Sequence, residues 1–268
     1  MRKDNMEYLF DRWEQIKRKL SNKHVLFFFD YDGTLTSIAQ TPQEAVIPEE
    51  VKGLLKKLSQ KPNCTLAIIS GRALEDIKHV VGLKDIIYAG NHGLEIEGPK
   101  IKFESQVSPR LKSVIRNIYE DMISGLSQIK GVLIEDKGLA ISVHYRLVDE
   151  KDMQEFLGIF SDITEPFTGR DKIKINEGKK VYEIRPPVAW DKGKAVLWLL
   201  ARQQSLVGED KIFPVYLGDD ITDEDGFKAV NKKGLTIFVG ETKSSEAAYY
   251  IKNTEEVVRF IQQFLDLR

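Results

Sequence analysis

The 268-residue chain contains a single cysteine, Cys64, and therefore has no internal disulfide. The apolar run around it, "CTLAIIS", predicts a buried thiol, and the lack of a cysteine pair favours a reducing compartment. Long apolar runs are also missing: no segment approaches the ~18 apolar residues that a membrane span needs, so we predict a cytoplasmic protein that does not bind membranes. Forty basic residues against 41 acidic ones give a net charge of -1, which excludes a general attraction to nucleic acid.

From residue 24 onward, short apolar runs alternate with helical periods. Runs such as "HVLFFFD" are apolar throughout, which is typical of parallel strands covered on both faces. The fold class predicted is therefore α/β, a doubly wound, mostly parallel sheet formed by residues 23–100 and 186–268. Between them, in residues 101–185, two hairpins alternate with two helices and predict an inserted α+β domain. Residues 1–22 repeat apolar side chains at steps of three and four, which predicts an amphipathic helix.

Two carboxylates separated by one residue follow the first apolar run, in "DYDGT". Because side chains alternate along an extended chain, Asp30 and Asp32 point to the same side, where they repel each other unless a cation or a proton is shared. Gly33 permits a sharp turn, and Thr34 offers a hydroxyl and an amide to an anion. Taken alone, this motif is as consistent with a simple acidic turn as with a site.

Polar groups also stand at three other predicted strand ends or helix starts. Ser70 and Gly71 lie where a helix opens, an arrangement typical of a phosphate site and also of a plain helix cap. Lys192 lies at the positive end of a helix, which indicates a nearby anion unless the side chain is only solvated. Five acids in seven positions exceed what a helix cap requires and indicate an oxygen-rich pocket for a hard cation. They are Asp219, Asp220, Asp223, Glu224 and Asp225.

In this order the four motifs closely resemble those of the haloacid dehalogenase superfamily of phosphotransferases. The matching residues are Asp30 to Thr34, Ser70, Lys192, and Gly218 to Asp220 with Asp223. The insertion falls between the second and third motifs, where that superfamily often places a cap domain. The segments "AGNHGLE", "EDKGLAISVHYR" and "KKVYEIRP" narrow the resemblance to the trehalose-phosphatase family, from about residue 24 to the last residue.

The resemblance implies a Mg²⁺-dependent phosphatase that hydrolyses trehalose 6-phosphate through an aspartyl-phosphate. Asp30 would be the nucleophile, and Asp32 would be the general acid and base. Mg²⁺ would be held by the carboxylates of Asp30 and Asp219 and by the backbone carbonyl of Asp32, with Asp220 and Asp223 behind these ligands. The phosphate-binding residues implied are Thr34, Ser70, Gly71 and Lys192.

A disaccharide carries no charge away from its phosphate, so its recognition requires hydrogen bonds. Polar side chains alternate with apolar ones along the predicted strands of the insertion and would form one polar face, although about half of them could instead pair with one another at the surface. The sugar contacts expected are Lys137, His144, Arg146, Lys179 and Glu183 in the insertion, with Asn91, His92 and Gly93 on the core.

Two other functions stay open at this point. A phosphatase of another sugar phosphate, such as sucrose phosphate or a glycosyl-glycerate phosphate, would use identical chemistry. A receiver-like phospho-acceptor also uses acids and a lysine at strand ends, but it has no need of Asp32 or of an insertion. The partner expected is a small sugar phosphate, and the chain is expected to be monomeric. Whether a trehalose-6-phosphate synthase binds the amino-terminal helix stays open.

Overall fold

The computed structural model describes residues 6–170, 172–241 and 244–267. The described strands are β1 (Glu7–Tyr8), β2 (His24–Phe29), β3 (Cys64–Ile69), β4 (Ile87–Gly90), β5 (Glu95–Gly98), β6 (Ile101–Glu104), β7 (Leu133–Asp136), β8 (Ile141–His144), β9 (Lys174–Gly178), β10 (Val181–Arg185), β11 (Ile212–Gly218), β12 (Leu235–Val239) and β13 (Tyr249–Ile251). The described α-helices are α1 (Trp13–Leu20), α2 (Glu49–Ser59), α3 (Leu74–Val81), α4 (Pro109–Leu126), α5 (Met153–Thr168), α6 (Lys192–Val207), α7 (Glu224–Val230) and α8 (Thr254–Leu265).

The chain forms two compact units, and the larger one, the core unit, is built on a nine-stranded sheet. It comprises residues up to Glu104 together with those from Trp190 onward. The strand order is β1-β13-β12-β11-β2-β3-β4-β5-β6, and the pairing is parallel from β1 through β4. Only β5 and β6 add antiparallel pairs at one edge. The predicted α/β class with a mostly parallel sheet is therefore confirmed.

Helices cover both faces of this sheet. Successive side chains of a strand point to opposite faces, so Phe27 and Phe29 of β2 pack with apolar residues of α1, α2, α3 and α8. Leu26 and Phe28 point the other way and pack with α6 and α7. The run of apolar residues in β2 is explained by this double burial, and it leaves the end of the strand as the first place where a polar side chain can stand.

The second unit, Ser105–Ala189, is an antiparallel sheet of order β7-β8-β10-β9 with α4 and α5 on one face. Apolar side chains at alternate strand positions, such as Ile141, Val143 and Ile184, form its core together with those of the two helices. The opposite face carries the remaining alternate residues, among them His144 and Glu183.

Three boundaries differ from those expected from the sequence. Residues 186–189 were assigned to the core, but they belong to the second unit, which ends at Ala189. Strand β6 was assigned to the insertion beginning at residue 101, but it pairs with β5 and belongs to the core sheet, because the hairpin around Gly98 keeps both strands in register. The amino-terminal segment was predicted as one helix over residues 1–22, of which residues 1–5 lie outside the described part. The helix begins only at Trp13, since Glu7 and Tyr8 form a strand beside β13 and a 3₁₀ turn follows. Among the described residues, no helix is long and apolar enough to cross a bilayer.

Candidate active site

The ends of four adjacent strands bring the predicted motif residues to one edge of the core sheet. Asp30 follows β2, Ser70 follows β3, Asn91 follows β4 and Asp219 follows β11, and these strands are neighbours in the sheet. The ladder continues through the first polar residues, because the Asp30 amide donates to the carbonyl of Leu217 and the Ser70 amide to that of Ala89. This edge is where ligands bind in open parallel sheets.

Three carboxylates form a buried cluster here. Asp30, Asp219 and Asp223 are 5, 7 and 0 % exposed, and one oxygen of each lies within 4.8 Å of the others. The ammonium of Lys192, which is 3 % exposed, donates to Asp30 Oδ1 at 2.6 Å and to Asp223 Oδ1 at 2.7 Å. Three carboxylates against one ammonium leave a negative pocket, which is the electrostatic condition for binding a cation.

Asp223 organises this pocket rather than facing an ion. Besides Lys192, its carboxylate accepts a hydrogen bond from the Tyr216 hydroxyl at 2.8 Å and from the backbone amides of Asp219 and Asp220 at 3.1 Å each. Four donors occupy its two oxygens. Asp223 thus fixes both Lys192 and the turn that carries Asp219, a role consistent with its predicted place behind the metal ligands.

The protonation of the pocket is set by burial and by neighbouring charges. Burial raises the pKa of Asp30 well above its ordinary value; the Lys192 charge opposes this, and the charges of Asp223 and Asp219 reinforce it. Burial alone would lower the pKa of Lys192, but Asp223 and Asp30 outweigh it and raise that pKa, so the lysine stays protonated. A further positive charge in the pocket would favour ionised Asp30, the form required of a nucleophile.

The backbone around Asp30 leaves room for the Asp219 carboxylate. Gly33 has a φ of +93°, a conformation that favours glycine, and a Cβ at this position would overlap the Asp219 carboxylate. The Thr34 hydroxyl beside it is buried and has no hydrogen-bond partner among the described residues. The oxygen donors and their negative charge fit a hard divalent cation.

Asp32 is held differently from Asp30. Its side chain is 42 % exposed, and both oxygens accept from the guanidinium of Arg72, at 2.8 Å from Nε and 2.8 Å from Nη2. The carboxylates of the two acids in "DYDGT" therefore have different cationic side-chain partners, Lys192 for Asp30 and Arg72 for Asp32. Sequence reasoning missed this partner. The available signal was that Arg72 directly follows Ser70 and Gly71 and had been given no role.

Ser70 and Gly71 adjoin a strained turn at the end of β4. The Ser70 hydroxyl accepts from the Arg72 amide at 3.1 Å, and the Ser70 carbonyl accepts from the His92 amide at 2.9 Å. A Cβ at Gly71 would lie 2.7 Å from the His92 ring. Asn91 and His92 have φ values of 51° and 55°, conformations that non-glycine residues rarely adopt. Such strain is concentrated at functional sites, which fits their predicted role.

Gly93 completes this turn, and its carbonyl accepts a hydrogen bond from the indole Nε1 of Trp190 at 2.5 Å. The Trp190 ring stacks on Phe103 with centroids 4.7 Å apart. The three residues predicted on the core rim are therefore brought together next to Ser70, and Trp190 supports them. No sequence signal pointed to this tryptophan, since it lies 97 residues from its partner.

The insertion places its predicted sugar contacts in three positions. His144 and Glu183 lie on the face of the four-stranded sheet opposite α4 and α5, and the His144 Nε2 is 2.6 Å from a Glu135 oxygen. Arg146 donates to the Lys179 carbonyl at 2.7 Å, so these two stand together. Lys137 lies in the β7–β8 turn, at the other end of β8.

Asp220, predicted behind the metal, caps the short helix that follows β11. Its side chain accepts from the Ile221 amide at 2.8 Å and forms a capping box with Asp223. A capping role therefore applies to Asp220 and also to Asp223, which accepts from the Asp220 amide and at the same time belongs to the buried cluster with Asp219.

Comparisons with known proteins show the family and the fold of this chain. The family model described as trehalose-phosphatase matches residues 28–257. A probable trehalose-phosphate phosphatase 4 from Oryza sativa subsp. japonica is 33 % identical over 261 residues, which cover 95 % of this chain and 70 % of that protein. A crystal structure of a trehalose-6-phosphate phosphatase related protein superposes with a TM-score of 0.75 at 29 % identity, covering 90 % and 96 % of the two chains. The C-terminal domain of C. albicans trehalose-6-phosphate phosphatase superposes with a TM-score of 0.80 at 24 % identity over 98 % and 99 %, a likeness of fold.

Proposed function

Because this chain belongs to the trehalose-phosphatase family, we propose that it is the enzyme that hydrolyses trehalose 6-phosphate to trehalose and inorganic phosphate. The observation that carries the proposal is the buried cluster of Asp30, Asp219 and Asp223 around Lys192, at the strand ends where this family's motifs match. A phosphatase needs a nucleophile, a proton carrier and positive charge around the phosphoryl group, and the site has residues for each.

Asp30 would be the nucleophile. An oxygen of its carboxylate forms a bond to phosphorus while the bond from phosphorus to the sugar oxygen breaks, which gives an aspartyl-phosphate. Water then attacks the phosphorus and the bond to Asp30 breaks. Lys192 holds Asp30 Oδ1 at 2.6 Å and so fixes the orientation of the attacking group.

Asp32 would carry the proton in both steps. Its protonated carboxyl gives a proton to the departing sugar oxygen, and the resulting carboxylate takes one from the attacking water. Its side chain is 42 % exposed, whereas that of Asp30 is 8 % exposed, a difference that suits a group that must exchange protons with water. Two neighbouring carboxylates in different environments divide the roles of nucleophile and acid.

Mg²⁺ is the cofactor proposed, held by the carboxylates of Asp30 and Asp219 and by the backbone carbonyl of Asp32. Bound there, it would neutralise phosphate charge during transfer. Ser70, Gly71 and Thr34 would bind the phosphoryl oxygens together with Lys192. The buried Thr34 hydroxyl has no partner within the described part of the chain, which supports its place in this set.

The insertion is proposed to be the cap domain and to supply sugar contacts. This part of the proposal rests on the family resemblance of Lys137, His144, Arg146, Lys179 and Glu183, with Asn91, His92 and Gly93 on the core unit. A cytoplasmic location, a monomeric state and a synthase partner for the amino-terminal segment remain predictions from the sequence.

A panel of phosphorylated sugars tests the proposal. With Mg²⁺ present, we expect inorganic phosphate from trehalose 6-phosphate much faster than from sucrose 6-phosphate or glucose 6-phosphate, and none after EDTA treatment. Asp30→Asn should abolish this release while the variant stays folded, as its melting transition reports, whereas Asp11→Asn, at an exposed position of the same unit, should leave the release unchanged. Equal release from all three sugars would favour a broader sugar phosphatase.

A further inference from the structure

Arg72 is a buried arginine to which the proposed chemistry gives no role. Its side chain is 7 % exposed, and all three of its nitrogens donate. Besides the two bonds to Asp32, Nη1 donates to Asp76 Oδ2 at 2.9 Å and Nη2 to the Pro42 carbonyl at 2.8 Å. A buried guanidinium with this many fixed bonds has one orientation available to it.

The neighbours of Arg72 make that orientation independent of Asp32. The guanidinium carbon lies 5.1 Å from the centroid of the Tyr31 ring, and the Tyr31 hydroxyl is itself fixed by the Ala45 carbonyl at 2.8 Å. Asp76 is in the first turn of α3. The fork that receives the Asp32 carboxylate is thus built from α3, the loop after β2 and an aromatic ring, and it is present before a substrate arrives.

Among the residues that the structure describes, Arg72 is by contrast the one side-chain partner of the Asp32 carboxylate. Its side chain is partly exposed, and a carboxylate on a loop would otherwise sample several rotamers. A proton carrier must be held within reach of the atom it serves, and a misplacement of about 1 Å can cost ~10²-fold in rate.

We propose that Arg72 is a positioning residue of the phosphatase, one that fixes the orientation of the Asp32 carboxylate for both proton transfers without touching the substrate. The proposal rests on the proposed function, because it takes Asp32 as the acid and base. A positioning role differs from a purely structural one. If Arg72 only linked α3 to the loop after β2, its loss would slow the reaction of every substrate equally.

The test uses substrates that differ in their need for a proton. The oxygen that leaves trehalose 6-phosphate is an alkoxide unless it is protonated, whereas nitrophenolate leaves p-nitrophenyl phosphate without help. For Arg72→Gln we expect the first turnover of trehalose 6-phosphate, measured by rapid quench, to slow about a hundredfold with KM nearly unchanged, in line with typical contributions of general acids. Formation of the first equivalent of nitrophenolate should slow less than about threefold, and the later steady state should slow more, since Asp32 must still take a proton from water.

Two further variants separate positioning from folding. Arg72→Lys keeps the charge but loses the planar fork, and we expect it to recover only part of the alkyl-phosphate rate. Arg12→Gln removes an exposed arginine that also pairs with a carboxylate, that of Glu7, through two nitrogens. This variant should leave the first-turnover rate with each of the two substrates unchanged. Melting temperatures report any loss of fold, and if Arg72→Gln does not fold, Arg72→Lys carries the comparison.

Equal slowing of both first turnovers, an effect on KM alone, or a wild-type rate in Arg72→Gln would overturn the proposal. Failure of the proposed function is distinguishable, because the wild-type enzyme would then release no phosphate from trehalose 6-phosphate. In that case another alkyl phosphate that the wild type hydrolyses replaces it, and the comparison with p-nitrophenyl phosphate still tests Arg72.

Discussion

Replacing Lys192 by methionine tests the charge balance of the pocket. The ammonium holds two carboxylates, of Asp30 and Asp223, whose side chains are 8 and 0 % exposed. Removing one partner of a buried ion pair leaves an uncompensated charge and typically costs about 3–5 kcal/mol. We expect Lys192→Met to lower the free energy of unfolding by about this much in metal-free buffer, a large share of the total stability of a domain.

Urea denaturation in EDTA measures this loss. Tryptophan fluorescence reports the relevant unit, because all three tryptophans, Trp13, Trp190 and Trp198, lie in the core unit. The matched control is Lys194→Met, two residues along α6, whose side chain is 45 % exposed and 3.6 Å from Asp191. An exposed pair of this kind contributes about 0–1 kcal/mol.

The free energy of unfolding lost in Lys192→Met should depend on pH in a definite direction. Burial and neighbouring charge raise the pKa of Asp30 in the folded state, and without Lys192 nothing among the described side chains around it opposes this. The folded variant then binds more protons than the unfolded chain, so its stability increases as the pH falls. The deficit should shrink below neutral pH. A loss below about 1 kcal/mol, or a deficit that grows in acid, would refute the reasoning.

Three further predictions concern other positions. Gly33→Ala should lower kcat at least about a hundredfold, because a Cβ there would displace the Asp219 carboxylate; wild-type activity would show that this space is not needed. Burial raises the pKa of the Cys64 thiol to about 12, so iodoacetamide should label the native protein at pH ~8 about a thousandfold more slowly than the urea-unfolded chain, and comparable rates would contradict this burial. Burial lowers the pKa of His24, so the unfolded chain binds a proton first and stability should fall as pH drops below about 6.5. His24→Gln should flatten that part of the urea-midpoint profile, and an unchanged slope would assign it to other groups.

Much of the site was predictable because its residues stand where sequence pattern and topology coincide. The run from Val25 to Phe29 fixes a strand buried on both faces, and the first polar residue after it must lie at the ligand-binding edge. The same logic places Ser70 and Asp219. Because the strands pair in parallel, the residues that follow them lie side by side, and their proximity depends on the strand order rather than on any local sequence signal.

The partners across the fold were not predictable, because they depend on contacts far apart in sequence. Arg72 meets Asp32 from 40 positions away, and no periodicity marks it. Strand β1 has only two residues and its neighbour β13 only three, too few for an alternating pattern, and the segment that contains Glu7 and Tyr8 was therefore interpreted as helix. Apolar residues spaced as in a helix can also pack on a sheet when the segment forms a short strand, a 3₁₀ turn and a shorter helix, as the amino-terminal segment does.

The direct test of the central claim is to locate the phosphoryl group during turnover. The wild-type enzyme, mixed with trehalose 6-phosphate and Mg²⁺ and quenched in acid within a single turnover, should yield one phosphorylated peptide on mass spectrometry, with the modification on Asp30. Product release with no phosphorylated peptide at any quench time, or with the phosphoryl group on another residue, would contradict the account.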